Sequence, residues 1–538
     1  MNNNPWWRGA VIYQIYPRSF LDSNGDGIGD LKGIEQKLDY IADLGVDAVW
    51  ISPFFKSPMN DFGYDISDYR DIDPIFGDMA DFDAVIKKAH KLDLKIMIDQ
   101  VLSHTSDQHA WFLESKKDKT NAKADWYVWS DANVDGTPPN NWLSVFGGSA
   151  WEWDENRQQF YLHNFLTSQP DLNYHNPELR QAILGEVKFW LDKGVDGFRL
   201  DAINYCFHDT ELRSNPFKPE DERKGRGFSE NNPYAWQYHY YDNNRPEILE
   251  FLQELRALFD QYPDIASVGE INTEDSLQSI FEYTTNNRLH CGYSFELLAD
   301  EGSPQHIRDT VEALEAKLEG AMGCWAISNH DVARVVSRWG QKDGDPRMAK
   351  MLSTMVGSLR GAVCTYQGEE LGLSNAEIPF EDIQDPFGIE FWPEFKGRDG
   401  CRTPMPWNAN EEYAGFSTTK PWLPVPKEHV AISIDQQLQS SDSVHNHYRS
   451  FIKWRKTQNT LVEGDIAFVE SSDNLLGFTR SKGNDVLLCY FNFSNTEQIV
   501  KNVAQGIDDI NEVFVSASAS NGTITLPPYA VYFGRLLT

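Results

Sequence analysis

Residues 178–201 read ELRQAILGEVKFWLDKGVDGFRLD. In the first part the apolar residues recur at helical spacing, and Gly194 is a good helix stop. The second part is a short apolar run that ends Gly197-Phe198-Arg199-Leu200-Asp201 and reads as a buried strand. The same alternation extends in both directions. Strands are expected at 11–16, 48–52, 95–101, 197–202, 266–271, 291–297, 324–330 and 361–366. Between them lie the helical patterns IEQKLDYIADLG, closed by Gly45, then DFDAVIKKAHKL and ILEFLQELRALF. Eight strands with intervening helices predict an α/β fold, a closed (β/α)8 TIM barrel, with an open doubly wound sheet as the alternative.

The uneven spacing predicts the domains. The gap between the third and fourth strands holds an insertion at 104–172, rich in Trp, Tyr, Asn and Pro, which reads as a subdomain on the barrel mouth. A second long excursion, about 367–425, follows the eighth strand. After 460 come short alternating segments such as DVLLCYFNF and AVYFGRLL, the pattern of an antiparallel β-sandwich. The expected division is a barrel of 1–103 and 173–460, an inserted subdomain of 104–172 and a C-terminal β-domain of 461–538.

The chain has 538 residues, 48 basic and 81 acidic, so 48 − 81 gives a net charge of −33. That charge repels nucleic acid and anionic membranes and suits a neutral substrate. No stretch approaches the ~20 apolar residues that span a bilayer. The start, MNNNPWWRGAVIYQIY, lacks the pattern of a secretory signal, so a cytoplasmic location is expected. Cysteines 206, 291, 324, 364, 401 and 489 show no CxxC spacing and read as buried free thiols.

Catalytic groups of such a barrel sit at the C-terminal strand ends. Here those ends carry Arg199 and Asp201, Glu270 in VGEI, His330 and Asp331 in SNHD, and Asp99 through His104 in DQVLSH. Arg199 and Asp201 are two apart and so share one face of a strand. An arginine beside a carboxylate keeps it ionised, which suits a nucleophile. Two carboxylates across a sugar linkage are what glycoside hydrolysis requires: one protonates the leaving oxygen, and the other attacks the anomeric carbon or activates water.

Several segments in order make the resemblance specific: VIYQIYPRSF (11–20), GYDISDY (63–69), HTSDQHAWF (104–112), QPDLN (169–173), GFRLD (197–201), GEI (269–271), SNHD (328–331) and RTPMPW (402–407). From Trp7 to about Trp407 the chain resembles the α-amylase family of glycoside hydrolases, in its oligo-1,6-glucosidase and α-glucosidase branch. The resemblance implies Asp201 as nucleophile, Glu270 as general acid and then base, and Asp331 as stabiliser of the transition state. It implies that Arg199 positions Asp201 and that His104 and His330 hydrogen-bond the sugar. Asp61 and Tyr64, with Arg398 or Arg402, would close the glucose subsite. Phe146 and Phe165 would form its aromatic wall or else belong to the subdomain core.

Two departures bear on function. Ser103 stands where many amylases have the Asn that binds calcium between barrel and subdomain, so that site is not expected. Ala202 follows the nucleophile, where this branch has Val with α-1,6 linkages and Thr with α-1,4 linkages, which leaves linkage open. A separate loop, DSNGDGIGD at 22–30, offers Asp22, Asn24, Asp26, the Ile28 carbonyl and Asp30 to a hard cation. It is no EF-hand, since its twelfth position is Gly33. The resemblance supports a structural Ca2+ or Mg2+ there, with no organic cofactor.

These readings converge on a retaining exo-acting α-glucosidase of short oligosaccharides, maltose-like in preference and able to transglucosylate. The expected state is a monomer or weak homo-oligomer. The alternatives within the family are an oligo-1,6-glucosidase and a sucrose isomerase or glucosyltransferase. A transporter-associated relative without catalysis would lack the three carboxylates and carry a membrane span.

Overall fold

In the computed structural model, the described residues are 5–223, 232–317, 322–340, 344–501, 503, 507–520 and 522–536. Eight parallel strands close into a barrel: β1 (Val11–Ile15), β2 (Ala48–Ile51), β3 (Lys95–Val101), β4 (Gly197–Asp201), β5 (Ala266–Ile271), β6 (Cys291–Ser294), β7 (Gly323–Trp325) and β8 (Ala362–Tyr366). Each pairs with its neighbours in chain order, and β8 returns to β1 through Val11 opposite Val363. Closure removes the open doubly wound alternative.

The connecting helices begin and end where local chemistry dictates. Helix α1 (Leu31–Leu44) starts at Asp30, whose carboxylate accepts from the Gly33 amide. It stops at Gly45, which takes the left-handed conformation at φ 91°. Helix α2 is Met79–Lys91, and Asp78 and Asp81 cap its start reciprocally. In α3 (Pro177–Asp192), Asn176 caps the Glu178 and Leu179 amides. Leu179, Ile183, Val187 and Trp190 of α3 are fully buried. Its tight arrival at β4 fixes where the Arg199-Leu200-Asp201 end points.

The seventh strand is shorter than its apolar run. The sequence suggests 324–330, whereas the ladder ends at Trp325. The Asn329 side chain accepts from the amides of Asp331 and Val332 and pulls the chain into a turn. His330 and Asp331 therefore stand on a loop above the barrel.

The insertion carries a helix, Ala110–Ser115, and a three-stranded sheet of Trp129–Ser130, Gln159–Leu162 and Trp151–Asp154. Residues 465–536 form a five-stranded antiparallel sheet and a separate three-stranded one. The segment at 459–463 is a helical turn, and the first of these strands begins only at Asp465. A helix at Val444–Thr457 ties this region down: its Trp454 ring lies 4.9 Å from Phe514 and 5.2 Å from Phe533. All six cysteines are free and buried. Among the described residues, no helix is long and apolar enough to cross a membrane.

Candidate active site

β4 and β5 lie side by side, and their ends present Asp201 and Glu270 to one pocket. Beneath them Arg199 is buried and pairs with three carboxylates. Its guanidinium contacts Asp99 at 2.9 Å, Asp201 at 2.5 Å and Glu270 more closely still. One cation therefore serves three acids, so this cluster cannot hold three full negative charges cheaply. Burial raises the Glu270 carboxyl to about 8, with the charges of Asp201 and Asp331 adding to it and Arg199 opposing it. Burial raises Asp201 to about 7, held down by Arg199 and pushed up by Asp99. Both carboxyls are thus raised by burial, and Arg199 does not by itself hold Asp201 fully ionised as its place in the sequence suggested.

Asp331 lies at the opposite electrostatic extreme. Burial opposes its ionisation, but the guanidiniums of Arg398 and Arg402 push its carboxyl well below the ordinary range. Arg402 reaches it at 3.0 Å and Arg398 at 3.3 Å. Burial drives the His330 ring down to about 3, so it is neutral at pH 7 and the two guanidiniums are the standing charges. His330 is fixed on both nitrogens, by Gln14 at 2.7 Å and the Tyr64 hydroxyl at 2.7 Å. The Tyr64 ring stacks on it at 5.4 Å.

Asp61 and Arg398 close one wall with an ion pair of 2.9 Å. Arg398 is itself held by buried Asp385, at 2.8 Å. Of the two arginines left open by the sequence, Arg398 lines the pocket. Arg402 lies behind it, donating to the His330 carbonyl at 2.7 Å. Arg199 is likewise a support below the pocket floor and not part of its lining. His104 lines the pocket and is pushed down to about 4 by burial. Its Nε2 lies 3.2 Å from the Gln169 amide nitrogen, which also reaches Asp61 at 3.2 Å. The QPDLN segment thus brings Gln169 to the site, held in place by a backbone bridge between His104 and Asp171.

Phe146 and Phe165 both face the pocket, with ring centroids 6.0 Å apart. Pocket residues that the sequence did not single out include Asn204, Tyr205, Asn272, Phe295 and Phe387. Three of these follow the ends of β4 and β5 directly, so strand-end position was an available signal. Phe387 and Asp385 come from the excursion after β8 and carried none.

Ala202 has left-handed backbone, φ 42° and ψ 39°, beside Asp201. That turn aims its amide at Glu270, 3.0 Å away. Non-glycine residues rarely adopt this conformation, and β-branched ones least of all.

The loop at 22–30 is a self-contained polar turn. Asp22 accepts from the amides of Asn24, Gly25 and Gly27 and from the Ser417 hydroxyl. Asn24 accepts from Asp26, Asp26 from Ile28, and Asp30 from Ser23 and Gly33. The donors are hard oxygens, but among the described residues no three acidic, His or Cys side chains converge as a metal would need.

Residues 14–464 match the family model "Alpha amylase, catalytic domain". The chain belongs to the alpha-amylase family. It is 53% identical to the "Probable alpha-glucosidase" of Rhizobium meliloti (strain 1021), over 99% of this chain and 97% of that one. It is 40% identical to the "Oligo-1,6-glucosidase" of Parageobacillus thermoglucosidasius, over 92% of each. The crystal structure of the alpha-glucosyl transfer enzyme XgtA superposes with a TM-score of 0.98 at 58% identity, covering 99% of this chain and 100% of that one. The acid cluster of this alpha-amylase-family site therefore sits in a chain that matches such proteins almost end to end.

Proposed function

We propose that the protein is a retaining, exo-acting α-glucosidase that removes terminal α-glucosyl residues from short neutral oligosaccharides. The observation that carries this reading is one buried arginine holding two carboxyls, Asp201 and Glu270, that adjoining strand ends present to one pocket. Asp201 attacks the anomeric carbon while Glu270 protonates the departing oxygen. Glu270 then takes a proton from water, which displaces the Asp201 ester. Asp331, ionised by Arg398 and Arg402, binds ring hydroxyls and stabilises the developing positive charge. Neutral His104 and His330 serve as hydrogen-bonding partners. Asp61 and Arg398 seal the wall beyond the glucose, which favours chain ends over internal bonds.

The test is a product profile of the purified enzyme on maltose, isomaltose, sucrose, trehalose and amylose. Maltose is expected to be the better disaccharide, with α-glucose as the first anomer seen by NMR and amylose viscosity nearly unchanged. First release of β-glucose rejects the double displacement, and an early fall in viscosity rejects the sealed wall. Isomerised sucrose as main product would favour the isomerase reading. The small Ala202 leaves room for acceptors, so transfer to added sugars should accompany hydrolysis.

Ala202 gives a sharper prediction. Ala202→Val should raise the isomaltose-to-maltose activity ratio by roughly 10–200-fold, the range of a methyl or two in a pocket. It should also lower Tm, because valine is strained at positive φ. Ala202→Gly relieves that strain and should hold or raise Tm. An unchanged ratio in the valine variant removes this residue from linkage choice.

A structural Ca2+ or Mg2+ at 22–30 remains a proposal resting on donor chemistry alone. Chelation by EDTA is expected to lower Tm while leaving kcat at 25 °C unchanged, since none of these residues lines the pocket. An unchanged Tm removes the ion, and lost turnover at constant Tm would make it catalytic. A cytoplasmic location and a monomeric or weakly oligomeric state complete the proposal. The charge of −33 supports a highly soluble enzyme that nucleic acid does not engage.

A further inference from the structure

The turn that brings Asp61 and Tyr64 to the pocket is strained. Met59 and Phe62 both take left-handed backbone, at φ 65° and 50°, and Gly63 follows at φ 110°. A bulky residue in that region is an outlier, and it persists only where its surroundings hold it. The carboxylate of buried Asp65 gathers the start of the turn. It accepts from the Ser57 hydroxyl at 2.8 Å and from the amides of Asn60 at 2.9 Å and Asp61 at 3.0 Å. The Tyr64 amide then closes on the Asp61 carbonyl at 3.0 Å, with Phe62 between them.

The Phe62 ring is buried against three partners. The Arg18 guanidinium lies 5.1 Å from its centroid, the Arg402 guanidinium 5.5 Å and the Trp422 ring 5.4 Å. A cation over an aromatic face attracts it, the more so where water is excluded. Arg402 is anchored independently, on Asp331 and on the His330 carbonyl. Arg18 is nine-tenths buried, yet its Nε and one terminal nitrogen have no hydrogen-bond partner, and burial lowers its pKa. What Arg18 does meet is rings, since its guanidinium also lies 4.9 Å from the Trp422 ring. Trp422 is fixed in turn, by its indole nitrogen on the Ser19 hydroxyl at 3.1 Å and its amide on the Gly27 carbonyl at 3.0 Å. A buried cation without a counter-charge costs stability, so folding alone does not account for Arg18.

We propose that Arg18 and Phe62 form one positioning unit that holds Asp61 and Tyr64 in the wall of the glucose pocket. The inference rests on the α-glucosidase reading of that pocket. Neither Arg18 nor Phe62 lines it. Arg18 clamps the Phe62 ring, the ring holds the left-handed turn, and the turn sets the side chains on either side of it. Asp61 then meets Arg398 at 2.9 Å, and the Tyr64 hydroxyl meets His330 at 2.7 Å. A wall that grips the glucose alike before and during reaction governs KM more than kcat.

The test is Arg18→Met beside Phe62→Leu, with Arg18→Lys as the conservative variant. Arg18→Met removes the unpartnered charge and keeps an apolar stem, so Tm should hold or rise. Phe62→Leu removes the ring, so Tm should fall. KM for maltose should nevertheless rise at least about fivefold in both, with kcat falling by at most about threefold. The double variant should lie within about twofold of the worse single one, because the two residues act as a unit. Arg18→Lys keeps a cation over the ring and should return KM to within about twofold of wild type. A KM that follows Tm, raised in Phe62→Leu and normal in Arg18→Met, would make the pair merely structural and overturn the proposal. A normal KM in both variants, or no rescue by lysine, overturns it equally. Crystal structures read the positioning without turnover: the Asp61–Arg398 contact should open beyond about 4 Å in Arg18→Met and stay closed in Arg18→Lys. An intact contact in Arg18→Met rejects the unit. A wild-type enzyme inactive on every α-glucoside would defeat the glucosidase reading, whereas the crystal structures would still decide what Arg18 and Phe62 hold.

Discussion

Asp201→Asn is expected to lower kcat on maltose by at least about 10^3-fold, because the amide cannot form the glycosyl ester and the remaining groups stabilise little on their own. Glu270→Gln should lose about 10^2–10^4-fold on maltose, the span of general acid–base catalysis. The Glu270 loss should shrink on p-nitrophenyl α-glucoside, whose leaving group needs no proton, while the Asp201 loss should not. That contrast separates the two roles within one assay set. Both variants should keep near-native circular dichroism, since each retains the volume of the side chain it replaces. Near-normal turnover of maltose by either one would remove it from the mechanism.

Arg199→Met is the second large effect, and it acts on both carboxyls at once. Removing the cation leaves Asp99, Asp201 and Glu270 buried without their counter-charge, a loss of about 3–5 kcal/mol by the standard of broken buried pairs. Unfolding in denaturant reads that loss. The pH profile reads the electrostatics. In the wild type, kcat/KM should fall on the alkaline side near pH 8 as Glu270 gives up its acid proton. On the acid side it should fall as Asp201, raised to about 7 by burial, takes a proton. A cation favours the charged form of a carboxyl, so its removal raises both values. The whole bell should therefore move to higher pH in Arg199→Met and shrink in height. The two groups are coupled, so the limbs report the pair and not each residue singly. A profile that stays in place while stability drops would confine Arg199 to a structural role.

The barrel was legible because its strands and helices are local patterns. A helix stop such as Gly45 is set by its own φ, and α3 is set by a cap and an apolar face, all within a few residues. Asp201 and Glu270 were legible for the same reason, since each ends a strand. His330 and Asp331 are expected at the strand end because the strand is read through 324–330, past the apolar run that stops at Ile327. Only the bond from the Asn329 side chain shows that the chain has already turned.

What the sequence by itself determined was the fold class and the placing of Asp201 and Glu270 at neighbouring strand ends. Tertiary structure alone decided which arginine faces the pocket. Arg398 and Arg402 are four residues apart on one irregular segment, and neither spacing nor charge distinguishes them. Arg398 turns inward because Asp385 and Asp61 take both sides of its guanidinium, while Arg402 is drawn behind by the His330 carbonyl. Those partners lie 13, 337 and 72 residues away along the chain. The sharing of one buried cation by Asp99, Asp201 and Glu270 was equally out of reach, because it exists only once distant strands have closed the barrel around Arg199.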